Sequence, residues 1–459
     1  MKIVVLGGSP KGDNSVTLQS VNFIAKKHPE HEFVTFHVAQ RIGALEKDEA
    51  RFAEVIEQVR EADAVLWAFP LYVCLVCSQY KRFIELIFER HAEDAFRGKY
   101  TAAISTSIHF FDHTAHSYIR AICEDLGMSY AGGFPAHMQD LLDPVERAKL
   151  LQFAEGFFEA AEKHAPTTRW YAPLRHEPIS YVPSGDAAPV DPGGRRVLIL
   201  TDAREGQSNL QRMIEQMRAA FGGKAEVVNL CDIDIKGGCQ GCCKCGLDNV
   251  CAYSGKDGYI DFYNTTLRPA DIIVIAGAVA DRHLSAKWRQ FFDRAFFNTH
   301  KPTLIGKQIA FLISGPLGQL PDMRQVLETY FEIQRANVVD FVSDECADSG
   351  ELDAQIDRLA SHLVGCAEKG YIRPPTFLGV GGMKLLRDDV WGRLRMAFQA
   401  DHKAYRSLGV YDFPQRDWRT RLRNAIVIPL THIPRVREEF RNRMVEGMVQ
   451  AHRKVVDEA

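Results

Sequence analysis

A pattern that occurs twice constrains the fold of this 459-residue chain more than any other feature. Each copy opens with a predicted strand rich in β-branched residues, at Lys2–Leu6 and at Arg196–Leu200, and then runs through a polar loop into an amphipathic helix. Four further candidate strands alternate with helical segments in each copy. This alternation predicts an α/β fold in which each copy forms a doubly wound, parallel, five-stranded sheet.

The repeat divides the chain into four predicted segments. Two α/β domains, residues 1–165 and 195–372, are joined by a linker, residues 166–194, that contains six prolines. A proline-rich segment without helix or strand periodicity indicates an extended, semi-rigid connection. The remaining residues, 373–459, repeat nothing earlier and predict a helical C-terminal extension.

This extension is basic, with 17 Lys and Arg against 10 Asp and Glu, whereas the whole chain carries a net charge of −3. The excess favours a helical arm that packs on the acidic domains or on a partner subunit. Docking on an anionic membrane surface or on an acidic protein partner is the alternative.

Composition also excludes several classes of protein. The small net charge gives no electrostatic case for nucleic acid binding, and no apolar run approaches the length of a transmembrane segment. Because the first predicted strand follows Met1 directly, no signal peptide is expected. We therefore expect a cytoplasmic protein.

Four cysteines in the second copy have the spacing of a metal site. Cys239, Cys242, Cys245 and Cys251 form a C-x2-C-x2-C-x5-C run, in which four thiolates can surround one centre with little chain-closure cost. This compact spacing favours one [4Fe-4S] cluster, since zinc sites more often combine two separated C-x2-C pairs or mix Cys with His. Zinc and metal-free thiols remain alternatives, and a fifth cysteine, Cys243, lies within the run.

The polar loop of the first copy has the composition of a phosphate-binding loop. Ser9, Asn14 and Ser15 can donate hydrogen bonds to phosphate oxygens, and Lys11 can add a positive charge. Backbone N–H groups at the start of the following helix would complete the cradle. Neither loop contains a G-x-G-x-x-G run, so a dinucleotide fingerprint is not supported.

A second candidate binding element follows the third strand of the first copy. It consists of Pro70, Leu71, Tyr72 and Val73. Pro70 and Tyr72 make this loop rigid and partly aromatic, and ligands of open α/β sheets bind at the carboxyl edge where the loop lies. A planar ring system could lie against it.

Together these residues resemble the flavodoxin-like FMN reductases and, within them, the iron–sulfur flavoproteins. The run Gly8–Lys11 with Asn14 and Ser15 is similar to the phosphate loop of that family, and Pro70–Tyr72 is similar to its isoalloxazine loop. The four spaced cysteines match its compact cluster motif. The resemblance implies a flavodoxin-like fold, FMN as cofactor, NAD(P)H as co-substrate and a homo-oligomer in which flavin and cluster approach across an interface.

The second copy departs from the family at the ring loop, where Pro and Tyr are missing, but it keeps residues suited to a flavin. These candidate contacts are Thr201, Arg204, Ser208, Asn209, Gly277, Ala278, Ser314, Gly315 and Gly318. Either copy, or both, could therefore hold FMN.

The sequence thus predicts an FMN-dependent oxidoreductase. It would move electrons from NAD(P)H, or from a protein donor, through flavin and an iron–sulfur cluster to a small-molecule or small-protein acceptor. Flavin exchanges one or two electrons and a cluster exchanges one, so flavin and cluster together can convert two-electron transfer into single-electron steps. No acid–base residue is assigned. The alternatives are a simple flavin or quinone reductase with structural cysteines, and a non-catalytic electron-transfer or assembly subunit.

Overall fold

The computed structural model describes residues 1–185, 189–206, 208–412 and 417–459. Residues 186–188 of the predicted linker, Gln207 of the second polar loop and residues 413–416 of the predicted extension lie outside this range. Within it, the strands are β1 (Lys2–Gly7), β2 (Glu32–Phe36), β3 (Ala64–Pro70), β4 (Tyr100–Ser107), β5 (Ser129–His137), β6 (Val197–Thr201), β7 (Glu226–Asn229), β8 (Ile272–Ala280), β9 (His283–Leu284), β10 (Gln308–Ser314) and β11 (Asn337–Ser343).

Helices separate these strands and follow the last of them. The described α-helices are α1 (Val16–Lys27), α2 (Ile42–Lys47), α3 (Glu49–Glu61), α4 (Ser78–Glu89), α5 (Asp112–Asp125), α6 (Pro144–Glu162), α7 (Ser208–Ala220), α8 (Tyr259–Phe262), α9 (Ala286–Ala295), α10 (Pro321–Ile333), α11 (Ser349–Lys369), α12 (Phe377–Trp391), α13 (Gln399–Ser407), α14 (Trp418–Leu430) and α15 (Pro434–Asp457).

The strands form two parallel sheets with the same topology. Their orders are β2-β1-β3-β4-β5 and β11-β10-β8-β6-β7, so the first strand of each copy lies between the second and the third. This is the strand order of flavodoxin-like doubly wound folds. The predicted fold class, two such sheets followed by a helical C-terminal region, is confirmed.

The second sheet requires one correction, because it has six strands and not five. The two-residue strand β9 pairs antiparallel with the end of β8. The chain reverses at Asp281 and Arg282, whose φ angles are 46° and 66°. Two successive positive φ angles are typical of a tight hairpin turn, whose second position usually holds glycine, so an arginine there hid the turn from sequence analysis.

Apolar side chains are buried on both faces of each sheet. In β1, Val4 and Leu6 belong to the core that contains Trp67, whereas Ile3 and Val5 belong to the core that contains Phe158. Alternate residues of a strand point to opposite faces, and helices cover both faces of a doubly wound sheet.

The chain divides into two compact units, Met1–Ala404 and Tyr405–Ala459. The larger unit contains both sheets; we call β1–β5 with the surrounding helices the first domain, and β6–β11 with theirs the second domain. The smaller unit contains α14 and α15, whose exposed apolar side chains include Ile426 and Phe440. The predicted segment boundaries and the docking role of the extension stay predictions.

A search of the described residues for a membrane-spanning segment found no helix that is both long enough and apolar enough.

The two domains pack against each other through α4 and α9, the helices that follow the third strand of each sheet. Each helix carries a buried ion pair one turn apart. In α4, Lys81 Nζ lies 3.2 Å from Glu85 Oε1, and in α9, Arg289 Nη2 lies 2.7 Å from Asp293 Oδ1. Buried ions are tolerated where ion-pair partners and further hydrogen bonds satisfy most of their polar atoms.

Those further hydrogen bonds are reciprocal across the interface. The carboxylate of Asp293 accepts a hydrogen bond from the backbone N–H of Ser78, and Glu85 accepts one from the N–H of Ala286. Each carboxylate thus binds the first residue of the other helix, where the helix dipole favours negative charge. This is the isologous pattern of a twofold-symmetric dimer, formed here within one chain.

Candidate active site

A cleft of about 300 Å³ opens at the carboxyl edge of the first sheet. The first domain supplies one wall, which includes Lys11, Ser15, the loop Pro70–Val73, Thr106 and Ser107. The second domain supplies the other wall, which includes Cys239, Gly241, Cys243, Phe296, His300 and Tyr330. Leu386, Leu394 and Phe398 close one side. The cleft therefore exists only because the two domains pack together.

One end of the cleft offers unused hydrogen-bonding capacity. Ser15 is the N-cap residue of α1, yet its side chain makes no capping hydrogen bond. Its hydroxyl is buried and has no hydrogen-bond partner among the described residues. A buried hydroxyl without a partner is costly, and one at a helix N-terminus beside Lys11 suits a phosphate oxygen. The residues present at this end of the cleft therefore fit the phosphate of FMN.

The other two predicted phosphate contacts lie elsewhere. Ser9 is buried outside the cleft lining, and its hydroxyl accepts a hydrogen bond of 3.2 Å from the N–H of Lys11, which shapes the loop. Asn14 is exposed and also lies outside the lining.

The loop Pro70–Val73 lines the cleft in a strained conformation. Val73 and Cys74 have φ angles of 32° and 64°, values that residues with a β-carbon seldom adopt. The second domain holds this conformation in place, because the guanidinium of Arg289 donates hydrogen bonds to the carbonyl oxygens of Tyr72 and Val73, at 2.5 and 3.0 Å. Thr114 binds the carbonyl of Cys74 in the same way, at 2.5 Å. Such strain persists only where the surroundings impose it, and it is common at ligand sites.

The cysteine-rich loop of the second domain contacts Tyr72 at one side of the cleft. Gly241 has a φ angle of 62°, and a β-carbon there would collide with the Tyr72 hydroxyl. Gln79, in the first turn of α4, donates a hydrogen bond of 3.0 Å to the carbonyl of Cys239. Burial, with the Cys239 thiol close by, raises the pKa of Tyr72 well above its usual range, so the phenol stays protonated. The absence of a side chain at Gly241 allows this close approach.

The four predicted metal ligands, Cys239, Cys242, Cys245 and Cys251, line one small cavity behind this wall, and Cys243 joins them. Cys239 and Cys243 also line the cleft, so the two spaces are adjacent. Burial raises the pKa of Cys245 to about 12. The donor set suits a thiolate-bound centre, but no three His, Cys, Asp or Glu residues in the described part of the chain are placed to hold a metal ion.

Sequence analysis missed the second-domain wall of the cleft. Phe296 and Tyr330 lie in or beside helices whose apolar residues predict only an ordinary hydrophobic core. His300 follows α9, and its Nδ1 lies 2.7 Å from Oδ2 of the buried Asp401. No spacing rule connects these residues with Tyr72, because only the packing of one domain on the other brings them together.

Among the residues that the structure describes, the predicted contacts of the second copy do not line this cleft. Asn209, Ser314, Gly315 and Gly318 donate hydrogen bonds to carboxylates of their own domain. Thr201 accepts one from the N–H of Ala203. The remaining contacts differ in exposure: Arg204 and Ser208 are exposed, Gly277 is backed by Trp288, and Ala278 is half-buried.

Comparison with known proteins agrees with this geometry. Residues 1–139 match the family of NADPH-dependent FMN reductases. The first domain is similar to this family over that range. The match confirms the family resemblance and the enzyme class, oxidoreductase. The match ends before the second domain. The tandem form of the family therefore remains a prediction.

Solved structures with similarity to the chain include two flavoenzymes. One is the flavoenzyme NAD(P)H:(acceptor) oxidoreductase from Paracoccus denitrificans, with 20% identity over 36% of this chain and 98% of that chain and a TM-score of 0.29. The other is an FMN-dependent NADH-azoreductase from Bacillus anthracis, with 19% identity over 36% of this chain and 99% of that chain and a TM-score of 0.27. Among curated proteins, no significant match was found.

Proposed function

We propose that this protein is an NAD(P)H-dependent flavin oxidoreductase that binds FMN in the cleft of the first domain. The observation that carries the proposal is the buried Ser15 hydroxyl, which lies at the start of α1, lines the cleft and has no partner among the described residues. FMN, when bound, accepts a hydride from a nicotinamide nucleotide and passes its electrons on singly or in pairs.

The chain's own residues divide the binding task. Lys11 and Ser15 would hold the phosphate, one by charge and one by its hydroxyl. The loop Pro70–Val73 would support one face of the ring system, and the second-domain wall of the cleft would lie on the other side. Phe296 and Tyr330 add apolar surface that keeps water from this part of the cleft, where polar contacts are then stronger.

We further propose that Cys239, Cys242, Cys245 and Cys251 hold an iron–sulfur cluster. Such a cluster, when bound, exchanges single electrons. The support is that these thiols share one cavity and that the Cys239 thiol borders both this cavity and the cleft. The guanidinium of Arg294 also lines the cavity, where its positive charge would offset part of the charge of four thiolates. Asp257 orients Arg294 through hydrogen bonds of 2.7 and 2.9 Å.

A simple flavin or quinone reductase with structural cysteines is the second candidate. It is favoured by the absence, within the described residues, of any His, Cys, Asp or Glu group placed to hold a metal ion. A non-catalytic electron-transfer or assembly subunit is the third candidate. Only the first candidate requires iron in the purified protein, and only the third would lack NAD(P)H oxidation.

Partners and location are proposed on chemical grounds. The acceptor would be a small molecule or a small protein, and a homo-oligomer would add to the domain pairing that one chain already contains. The eleven cysteines are all free thiols, which suits a reducing compartment such as the cytoplasm.

FMN titration of the apo-protein tests the central proposal. Ser15→Ala and Lys11→Ala should each weaken FMN binding about tenfold, since a hydrogen bond to a charged group contributes about 1.5 kcal/mol. Lys26→Ala, an exposed lysine near the other end of α1, is the matched control and should bind FMN as the wild type does. Unchanged affinity in both cleft variants would contradict the proposal.

A further inference from the structure

We propose that the second domain binds no flavin, because its own chain occupies the edge where FMN would lie, and that this domain instead completes the cleft of the first. This inference rests on the function proposed above for the first domain. It is drawn from hydrogen bonds that differ between two otherwise equivalent sheets.

The sheet registers define which residues correspond. Thr106 pairs with Pro70 at the end of β4, and Ser314 pairs with Ala278 at the end of β10. Ser314 is therefore the counterpart of Thr106, which lines the cleft in the first domain. One strand further along, β5 ends in Ala136 and His137, where the second domain has Asp344 and Glu345.

Asp344 takes the place of an anionic ligand. Its side chain is fully buried, and one oxygen accepts hydrogen bonds from the Ser314 hydroxyl at 2.7 Å and from the Asn209 amide at 3.1 Å. The other oxygen accepts a hydrogen bond of 2.8 Å from the N–H of Gly315. Three groups suited to bind a cofactor therefore already bind this carboxylate.

A second carboxylate acts in the same way. Glu345 accepts a hydrogen bond of 2.6 Å from the N–H of Gly318. Asp202, buried at the start of the second polar loop, binds the Ser285 hydroxyl. A phosphate monoester carries about two negative charges at neutral pH, so placing it beside these carboxylates would be repulsive. In the first domain, Gly8 and Ala136 occupy the positions of Asp202 and Asp344.

The interdomain linker packs against part of this edge. The amide of Asn209 donates a hydrogen bond of 2.8 Å to the carbonyl of Ile179, and its oxygen accepts one of 3.2 Å from the N–H of Tyr181. Tyr181 is fully buried, and its hydroxyl binds Asp353 at 2.5 Å. His176 approaches Asp344 to 3.5 Å. Both amide protons of Asn209, the second residue of α7, are thus already used, one by Ile179 and one by Asp344, and neither is left for a phosphate.

The difference between the two sheet edges assigns the second domain a supporting role in the flavin site of the first. The second domain contributes Cys239, Gly241 and Arg289 to the cleft of the first or to the loop that lines it, while Asp344 and the linker occupy hydrogen-bonding groups at its own edge. One chain therefore contains one complete flavin site, in the place where a symmetric dimer would form two.

Equilibrium dialysis of the full-length apo-protein against FMN tests this inference. We expect one FMN per chain in the wild type, bound at least tenfold more weakly in Ser15→Ala and with unchanged affinity in Asp344→Asn, which keeps the shape of the carboxylate but removes its charge. Two FMN per chain would overturn the inference, as would a single FMN whose affinity Asn209→Ala weakens and Ser15→Ala does not. A folded wild type that binds no FMN would overturn the proposed function but not the inference.

A chemical-rescue measurement tests the anion site independently. Asp344→Ala should lower the thermal unfolding temperature, and formate should restore part of the loss by binding Ser314, Gly315 and Asn209. Asp340→Ala, at an exposed position in β11, is the control and should show no formate effect. If formate stabilises Asp344→Ala no more than it stabilises this control, Asp344 does not occupy an anion site and the inference fails.

Discussion

The carboxylate of Asp293, in the second domain, accepts a hydrogen bond of 2.6 Å from the backbone N–H of Ser78, the first residue of α4 in the first domain. Glu85 makes the matching contact to Ala286 at the start of α9. Each domain therefore satisfies the helix N-terminus of the other, and the cleft depends on this pairing. Removing either carboxylate should affect both stability and the flavin site.

Asp293→Ala leaves the guanidinium of Arg289 buried without its ion-pair partner. Removing one member of a buried pair usually costs about 3–5 kcal/mol, so a large fall in the urea midpoint is expected. Glu159→Ala breaks the exposed pair with Lys163 and should change the midpoint little. Equal midpoints in the two variants would show that the buried pair of Arg289 and Asp293 contributes nothing to stability.

Buried histidine should make the fold sensitive to acid. Burial, with Arg289 and Lys81 nearby, lowers the pKa of His283 to about 3. Its pKa in the unfolded chain is about 6.5, so between these values the unfolded state binds a proton that the folded state does not. Stability should therefore fall as pH falls through this window, by about 1.4 kcal/mol per pH unit from this group.

The variant His283→Gln tests whether His283 causes this loss of stability at low pH, because glutamine keeps an acceptor for the N–H of Leu284. Its unfolding free energy should fall less steeply than that of the wild type between about pH 6 and pH 4. Part of the slope should remain, since burial also lowers the pKa of His116 to about 4. An unchanged slope would show that His283 is not the group responsible.

Gly241→Ala should weaken FMN binding, because a β-carbon there would collide with the Tyr72 hydroxyl and move the cysteine-rich loop away. A forced shift of this kind costs about 1–3 kcal/mol, which corresponds to a loss of affinity of roughly 5- to 150-fold in a fluorescence titration. Gly255→Ala is a matched control, since Gly255 also has a positive φ angle but has no atom within 4 Å of the added carbon. If both variants bind FMN equally, Gly241 does not shape the site.

Cys245→Ser should remove iron from anaerobically purified protein while leaving FMN bound, because Cys245 lines the cysteine cavity but not the cleft. Cys231→Ser, at an exposed cysteine outside that cavity, should retain both. Iron and flavin are quantified on the same samples. A wild type with FMN and without iron would favour the simple reductase with structural cysteines.

The sequence predicted most of the fold because its signals are local. The strands predicted at Lys2–Leu6 and Arg196–Leu200 agree with β1 and β6 to within one residue at each end, since each is a buried run followed by a polar loop. The loop Pro70–Val73 was predicted to bind a ring and does line the cleft. In these cases the neighbours along the chain determine the environment of each residue.

The second wall of the cleft could not be predicted, because it depends on contacts between distant segments. Nothing near Gly241 or Tyr330 in the chain indicates that both face Tyr72. Asp344 could have indicated an occupied site from the sequence alone. An acidic residue directly after a strand lies where a cofactor phosphate would need hydrogen-bond donors. That signal has meaning only once the strand register equates this position with Ala136.

A crystal structure of the chain with FMN would test the central claim most directly. We expect density for one FMN, with its phosphate at Ser15 and Lys11 and its ring against the loop Pro70–Val73. Density for FMN beside Asn209 and Ser314, with Asp344 and Tyr181 displaced, would contradict both the assignment of the cleft and the inference about the second domain.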